Sequence, residues 1–484
     1  MSLLEREKDT ICAIATPVGP GGIGIVRISG ADASKILKNV FKPKRNITDF
    51  ESHRLYYGHV QDPHSHEIID ECMAVLMRAP HSYTREDVVE LQSHSGHAVL
   101  KRILDLAIAQ GARLAEPGEF TKRAFINGRI DLAQAEALMD LINAQTEEER
   151  RLAVSTLMGK EDSETERIRN VLLELLAHLE VAIDFPDEDV EILDEGHLAS
   201  RLENDVLTPI RQLIQSYEQG RILREGALVV FGGRPNVGKS SIFNAILGMG
   251  RVIVSPIPGT TRDIIEEAVD IEGLRIVLVD TAGIRAKEKV GEDTGVDIVE
   301  AQGIELSLSR LKDANLVLVV FDLSEDLKDE DFEVFSYLPE DAPFLVVFNK
   351  ADLVDDPEGR FKKMEEVLAS MFPSYANKRG SILVSAQTGL GLKELKKALF
   401  KAIIGEEGST LKRHGFIPNL RQKECLERAF AFAERAKEGL DKGRPLEVVA
   451  MDVRDVLRAF EEVTGRGIEG DLLDKIFSNF CLGK

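Results

Sequence analysis

The segment that most constrains the fold is Gly233-Arg234-Pro235-Asn236-Val237-Gly238-Lys239-Ser240-Ser241, which fits the spacing G-x-x-x-x-G-K-[ST] at every fixed position. A short apolar run, residues 227–231, precedes it, and residues 241–247 (SIFNAIL) have the texture of the first turns of a helix. Strand, glycine loop and helix in that order turn backbone N–H groups toward a phosphate, and the helix N-terminus adds partial positive charge. Lys239 is placed to neutralise the outer phosphates, and the Ser240 hydroxyl to complete a Mg²⁺ shell. An ordinary glycine turn can share the spacing; the flanking strand and helix weigh against that reading.

Around this loop, residues 227–405 alternate short apolar runs with helical stretches. The runs are 228–231, 274–279, 316–321, 344–348 and 382–384. The alternation implies a mostly parallel sheet covered on both faces. Residues 1–125 are different: β-like runs (23–28, 73–77, 88–92), a helical stretch at 97–109 and Gly/Pro punctuation predict a small α+β domain. The GPGGIG segment there lacks the spacing of a dinucleotide fingerprint, and no preceding strand is evident, so it reads as a glycine turn leading into a strand. From Ile130 the pattern is helical. Leu132, Ala135, Leu138, Met139 and Ile142 share one face, and Ile168, Leu172, Leu175, Leu179 and Ile183 another. Pro186 is expected to break the helices, and the acidic run after it reads as an exposed turn or, less simply, a metal site. Helical texture returns after Leu420. The inference is a multidomain chain: an N-terminal α+β domain (1–125), a discontinuous all-α domain (126–222 and 406–484) and an inserted α/β P-loop domain (223–405).

Composition excludes several classes. No apolar run is long enough to span a bilayer, and residues 1–8 lack the apolar core of a signal peptide. Cys12, Cys72, Cys425 and Cys481 are scattered without a C-x-x-C pair, which points to a reducing cytosol and cytoplasmic location rather than disulfides or a zinc site. With 61 basic and 83 acidic residues, the net charge of −22 rules out holding RNA by bulk attraction. Nucleic-acid contact would need local patches such as Lys122/Arg123/Arg129, Arg150/Arg151 or Lys412/Arg413, each of which reads more readily as a solvated face than as a binding site.

Three more motifs follow the phosphate loop in order. Asp280-Thr281-Ala282-Gly283 ends an apolar run; Asp280 can hold Mg²⁺ through water, and the Gly283 amide can sense a γ-phosphate. Asn349-Lys350-Ala351-Asp352 ends another, where the Asp352 carboxylate can accept from guanine's N1–H and exocyclic amine, which adenine cannot offer. Ser385-Ala386-Gln387 supplies a backbone amide for the guanine oxygen. The four together resemble a translation-factor-like GTPase domain of Ras-like fold. Ile284 occupies the position after D-T-A-G where Ras-like proteins carry a water-orienting glutamine, so water must be positioned by another group. The switch segment reads Ser255-Pro256-Ile257-Pro258-Gly259-Thr260-Thr261, with Thr261 the expected second Mg²⁺ hydroxyl. An Asn236 side-chain oxygen beside the phosphates could ligate a monovalent cation together with switch-loop carbonyls.

Over nearly its full length the chain resembles the tRNA-modification GTPase family MnmE (TrmE). The residues carrying the resemblance are ATPVGPGGIGIVRISG, HSYTREDVVELQSHSG, PGEFTKRAFINGRIDLAQAEALMDLI, AIDFPDEDVEIL, GRPNVGKSS, PGTTRD and the terminal FCLGK. The resemblance implies a homodimer whose GTPase domains meet when GTP and K⁺ bind. It implies K⁺ on Asn236, Ser255, Ile257 and Thr260, and Mg²⁺ on Ser240 and Thr261. The family's catalytic glutamate lies in a V-E-x-x-G-I-E run, which points to Glu300, with Glu288, Glu292 and Glu305 as weaker candidates. It further implies a folate-binding-like N-terminal domain holding 5,10-methylenetetrahydrofolate or 5-formyltetrahydrofolate through Arg27, Glu90, Arg129 and Lys484. Arg129 stands where some relatives carry lysine, which puts any contact needing a compact ammonium in question. Cys481 starts a C-L-G-K end that fits a prenylation box poorly and reads better as a docked C-terminus lining a pocket.

The activity so implied is K⁺-dependent GTP hydrolysis that, with a FAD enzyme of the MnmG (GidA) family, installs a carboxymethylaminomethyl or aminomethyl group at C5 of the wobble uridine of tRNA. The alternative is a regulatory or ribosome-assembly GTPase switch without modification chemistry, which would predict a basic RNA-binding module and no folate affinity. An iron-transport GTPase is disfavoured because membrane-spanning runs are missing from the sequence.

Overall fold

A computed structural model of the chain describes residues 9–17, 19, 21–158, 162–184, 195–253, 266–280, 310–339, 342–371, 375, 378–405, 417–466, 470–478 and 480–483. The chain divides into two compact units, residues 1–139, 169–198 and 431–484 in one, and residues 140–168 and 199–430 in the other. The helical stretches are thus shared between the two units. Among the described residues, no helix is long and apolar enough to cross a membrane.

The first unit is built on a seven-stranded sheet: β1 (Ile11–Ile14), β2 (Gly24–Ser29), β3 (Phe41–Pro43), β4 (Leu55–Gln61), β5 (Ile68–Met77), β6 (Val88–Ser93) and β7 (Arg113–Leu114). The spatial order is β3-β4-β5-β6-β2-β1-β7, antiparallel except where β1 meets β7. Helices Ala33–Val40 and His97–Ala109 contribute Ile36, Leu37, Leu100 and Ile103 to a core with Val26, Ile28, Ala74 and Leu91. On β1, Ile11 and Ala13 pack instead with Ala115, Phe120 and Tyr83, so both sheet faces are covered there. A strand does precede the GPGGIG segment, namely β1, contrary to the sequence reading. It pairs antiparallel with β2, so the glycines join a hairpin-like pair rather than open a helix.

The second unit holds β8 (Ala227–Gly232), β9 (Arg251–Ile253), β10 (Glu266–Ile271), β11 (Leu274–Asp280), β12 (Leu316–Asp322), β13 (Phe344–Asn349) and β14 (Lys378–Leu383). Their order is β14-β13-β12-β8-β11-β10-β9. Pairing is parallel from β14 through β11 and antiparallel at the β11-β10-β9 edge. Alternation along each central strand feeds two cores. Val229, Phe231, Leu318, Val320, Leu345 and Val347 face one, and Val230, Val317, Val319, Phe321, Val346 and Phe348 the other. Helices Lys239–Met249 and Leu392–Ile404 close the first core, while Asp329–Tyr337 and Pro357–Met371 close the second. This doubly covered sheet puts the ends of β8, β11, β13 and β14, where the motifs fall, on one edge.

Further helical stretches run Glu195–Arg201 and Thr208–Glu225, joined through a π turn at Leu202–Leu207. Pro209, with no N–H to donate, falls in the first turn after it and accounts for the register change.

Two of the candidate basic patches are occupied within the protein. Arg123 is 3% exposed and belongs to an ion network rather than a surface, while Lys122 pairs with Asp474 at 2.7 Å. Arg150 and Arg151 pair with Glu147 and Glu148 along their own helix. Lys412 and Arg413 lie outside the described residues, as does the acidic run after Pro186.

Candidate active site and a second polar cluster

The phosphate loop joins β8 to the helix Lys239–Met249, whose N-cap is Gly238. Three backbone positions there need positive φ: Gly233 (133°), Asn236 (67°) and Gly238 (96°). Glycine is required at both ends of the loop. A Cβ on Gly233 would lie 2.5 Å from the Val320 carbonyl oxygen, and one on Gly238 2.1 Å from Asn349 Nδ2. Asn236 tolerates the left-handed conformation better than most side chains and is exposed on the loop. Lys239 is buried and donates to the Gly233 and Arg234 carbonyl oxygens at 2.7 and 2.9 Å, which holds its ammonium inside the loop's curve. Ser240 and Ser241 are exposed in the first helical turn.

The base-recognition motif is tied directly to this loop. Asn349, 2% exposed, donates from Nδ2 to the Val237 carbonyl oxygen at 3.0 Å and accepts at Oδ1 from the Ala386 amide at 3.1 Å. One side chain thereby sets the phosphate loop, the N-K-A-D turn and the Ser385 loop in a common frame. Ser385 is fully buried, and its Oγ accepts from the Thr388 amide. With the Ala386 amide engaged by Asn349, and that of Ser385 by the Leu390 carbonyl oxygen, Gln387 is the exposed member of the triplet. Asp352 lies in the single turn Ala351–Leu353 and is exposed. Lys350 adopts φ 64° and reaches Asp322, a residue for which the sequence reading had no role.

Asp280 ends β11 in direct register with Phe231 of β8, the strand that leads into the phosphate loop. The candidates Ser255, Pro256, Ile257, Pro258, Gly259, Thr260, Thr261, Thr281, Ala282, Gly283 and Glu300 lie outside the described residues, as do Glu288, Glu292 and Glu305. On the described side, the residues present are compatible with both ions: the exposed Ser240 hydroxyl at the helix start would suit Mg²⁺, and the exposed Asn236 amide on the loop would suit K⁺.

In the first unit, Arg27 on β2 and Glu90 on β6 are directly paired across the sheet. Arg27 donates from Nε and Nη2 to Glu90 Oε1 at 3.0 and 2.9 Å, and from Nη1 to the Gly483 carbonyl oxygen at 3.2 Å. Its guanidinium lies 5.6 Å from the Tyr83 ring centroid; that of Arg129 lies 4.7 Å from the same ring and donates to the Tyr83 carbonyl oxygen. Two of the four expected folate residues thus lie over Tyr83, and a third, Glu90, is held by one of them; Lys484 lies outside the described residues. Both Arg27 bonds to Glu90 fall on its Oε1. Burial raises the Tyr83 phenol above its ordinary pKa despite a hydrogen bond with Thr121 and two nearby arginines, so it remains a neutral aromatic platform. Tyr83 was missed in the sequence; the signal available was an aromatic amid polar residues in HSYTRED. The segment 481–483 is docked here: the Gly118 amide donates to the Cys481 carbonyl oxygen, and a Cβ on Gly483 would lie 2.4 Å from the Ile14 carbonyl oxygen.

In the same unit, Arg113 and Arg123 bridge Asp9 and Glu119 at 2.7–3.0 Å. Burial alone would raise both carboxyls, but hydrogen bonds from the arginines outweigh it and hold Asp9 and Glu119 below their ordinary values.

A doubly wound sheet, a glycine-capped phosphate loop and a base motif locked to it by Asn349 define a P-loop GTPase. Models of the "MnmE helical domain" and the "GTP-binding protein TrmE N-terminus" match residues 132–481 and 10–129. The chain is 43% identical over 477 residues to the tRNA modification GTPase MnmE of Geobacter sulfurreducens, covering 99% of each. It is 40% identical over 478 residues to that of Acetivibrio thermocellus, covering 99% of this chain and 100% of the relative. Among solved structures, a variant of Aquifex aeolicus Era bound to GDP.AlF4− aligns at 27% identity and a TM-score of 0.29, over 36% of this chain and 56% of that one. The chain belongs to the MnmE (TrmE) family.

Proposed function

We propose that this protein is a K⁺-dependent GTPase that modifies C5 of the wobble uridine of certain tRNAs together with a FAD-dependent MnmG (GidA) enzyme. The one-carbon donor is a reduced folate, 5,10-methylenetetrahydrofolate or 5-formyltetrahydrofolate, bound at Arg27, Glu90, Arg129 and Lys484. Its working form is a homodimer in the cytoplasm, where its tRNA is. The domains are 1–125, 126–222 with 406–484, and 223–405. In the GTPase domain, Lys239 and the loop amides hold the phosphates, Asp352 and the Ser385 loop read guanine, and Glu300 positions the attacking water. Ser240 and Thr261 hold Mg²⁺, with Asp280 acting through water. Asn236, with Ser255, Ile257 and Thr260, holds K⁺, which supplies positive charge where charge develops during hydrolysis.

The observation that carries the modification reading is that Arg27 and Arg129 both lie over the Tyr83 ring while Arg27 also holds Glu90 and the Gly483 carbonyl. A regulatory or ribosome-assembly switch has no use for such a cluster. In it, Tyr83 offers a face for a pterin, Glu90 an acceptor for its N–H groups, and Arg129 a cation for the glutamate tail; when bound, the folate supplies the carbon unit. Reconstitution with the flavin enzyme, a tRNA transcript, GTP, K⁺ and reduced folate, read by nucleoside mass spectrometry, tests this. A modified uridine that disappears without folate is expected. Absence of product, with no heat from millimolar reduced folate, would favour the switch.

A further inference from the structure

Asp322 is the last residue of β12, in direct register with Asn349 of β13. It is 4% exposed, and each of its oxygens has a separate task. Oδ1 accepts from the Ser324 amide and hydroxyl at 2.9 and 2.6 Å; Oδ2 accepts from Lys350 Nζ at 2.5 Å. The Leu323 amide bonds the Asn349 carbonyl oxygen at 2.9 Å, so backbone and side chain both cross between the two strand ends. Lys350 is the one residue of N-K-A-D in the left-handed region, where a bulky side chain is strained unless its surroundings hold it. That conformation turns the chain so that Asp352, two residues on, is exposed at the site. Arg234 of the phosphate loop reaches the same segment, pairing with Asp331 and Glu325.

We propose that Asp322 is a specificity-determining positioning residue: by anchoring Lys350 it fixes the turn that aims the Asp352 carboxylate at guanine. The inference rests on the reading of Asp352 as the guanine acceptor. Its lever is charge, because an ammonium held by a carboxylate forms a stronger bond than one held by a neutral amide.

The test measures Kd for GTP and for ITP, which lacks the exocyclic amine, by fluorescence titration of the full chain. Asp322→Asn is expected to weaken GTP roughly tenfold and ITP less, so the ITP:GTP Kd ratio falls. Mere loss of folded protein would leave that ratio unchanged. In a Lys350→Met background the same substitution should lower the ratio no further. Should Asp322→Asn be insoluble, Ser324→Ala, which loosens the same carboxylate, should lower the ratio more modestly. An unchanged ratio, or additive effects of Asp322→Asn and Lys350→Met, overturns the inference. Asp352→Ala separates the two levels. If it abolishes the preference for GTP while Asp322→Asn does not alter it, the inference alone fails. If Asp352→Ala keeps the preference, the guanine reading fails and the inference with it.

Discussion

The phosphate loop is made largely of backbone, with left-handed turns at Gly233, Asn236 and Gly238 and one buried ammonium folded against its own carbonyls, whereas the cluster around Tyr83 is made of side chains drawn from distant segments. The difference follows from what each is proposed to bind. Phosphate needs many converging N–H donors, which a short contiguous loop supplies. A flat heterocycle with a charged tail needs an aromatic face, an acceptor and a cation, which strands pair across a sheet. The two should therefore fail independently and in different ways.

Lys239→Ala is expected to have the largest effect, lowering GTP turnover by about 100-fold or more while leaving folate binding intact. Loss of folate binding as well would break the separation of the two sites. Gly238→Ala comes next: strain in the left-handed region costs roughly 1–2 kcal/mol, and the new methyl group would displace Asn349. Nucleotide affinity should fall by at least about tenfold, measured by fluorescent nucleotide titration. Arg27→Ala removes a charged partner from Glu90 and should weaken reduced folate by roughly 10- to 100-fold in calorimetry, with GTP turnover unchanged.

The smaller effects concern stability. Asp9 and Glu119 have depressed carboxyl pKa values in the folded state, so their contribution is present above the unfolded values and lost as pH falls. The melting temperature of the first unit should drop steeply below about pH 4. Asp9→Asn should make that drop shallower, and an equal slope would contradict the network's role. The least disruptive check is thiol labelling. Burial pushes the Cys12 and Cys72 thiols up to about 12, whereas Cys481 is exposed. At neutral pH Cys481 should label rapidly, and Cys12 and Cys72 only on unfolding.

Legibility in the sequence follows the same division. The phosphate and base motifs could be read because each occupies a contiguous stretch at the end of an apolar run, and the structure puts those runs in parallel register. Asp322 escaped notice because an Asp two residues before a Ser at a strand end resembles any turn. The Tyr83 cluster could be reached only through family resemblance: Arg27 meets Glu90 63 residues away and Gly483 456 residues away, distances no local pattern records. The short strands β3 and β7 and the helix Ala33–Val40 were missed for want of length, and β1 because a glycine-rich turn follows it closely. Arg123 looked like a surface cation because sequence shows its charge but not Asp9 and Glu119 closing around it.

On the proposed function, a monovalent cation held at Asn236 completes the phosphate loop. GTP turnover by the full chain, measured in KCl and in NaCl at equal ionic strength, for wild type and Asn236→Ala, addresses it most directly. The account predicts turnover at least about tenfold faster in KCl for the wild type, and slow, salt-indifferent turnover for Asn236→Ala. Equal wild-type rates in the two salts, or a K⁺ response that survives the substitution, would contradict it.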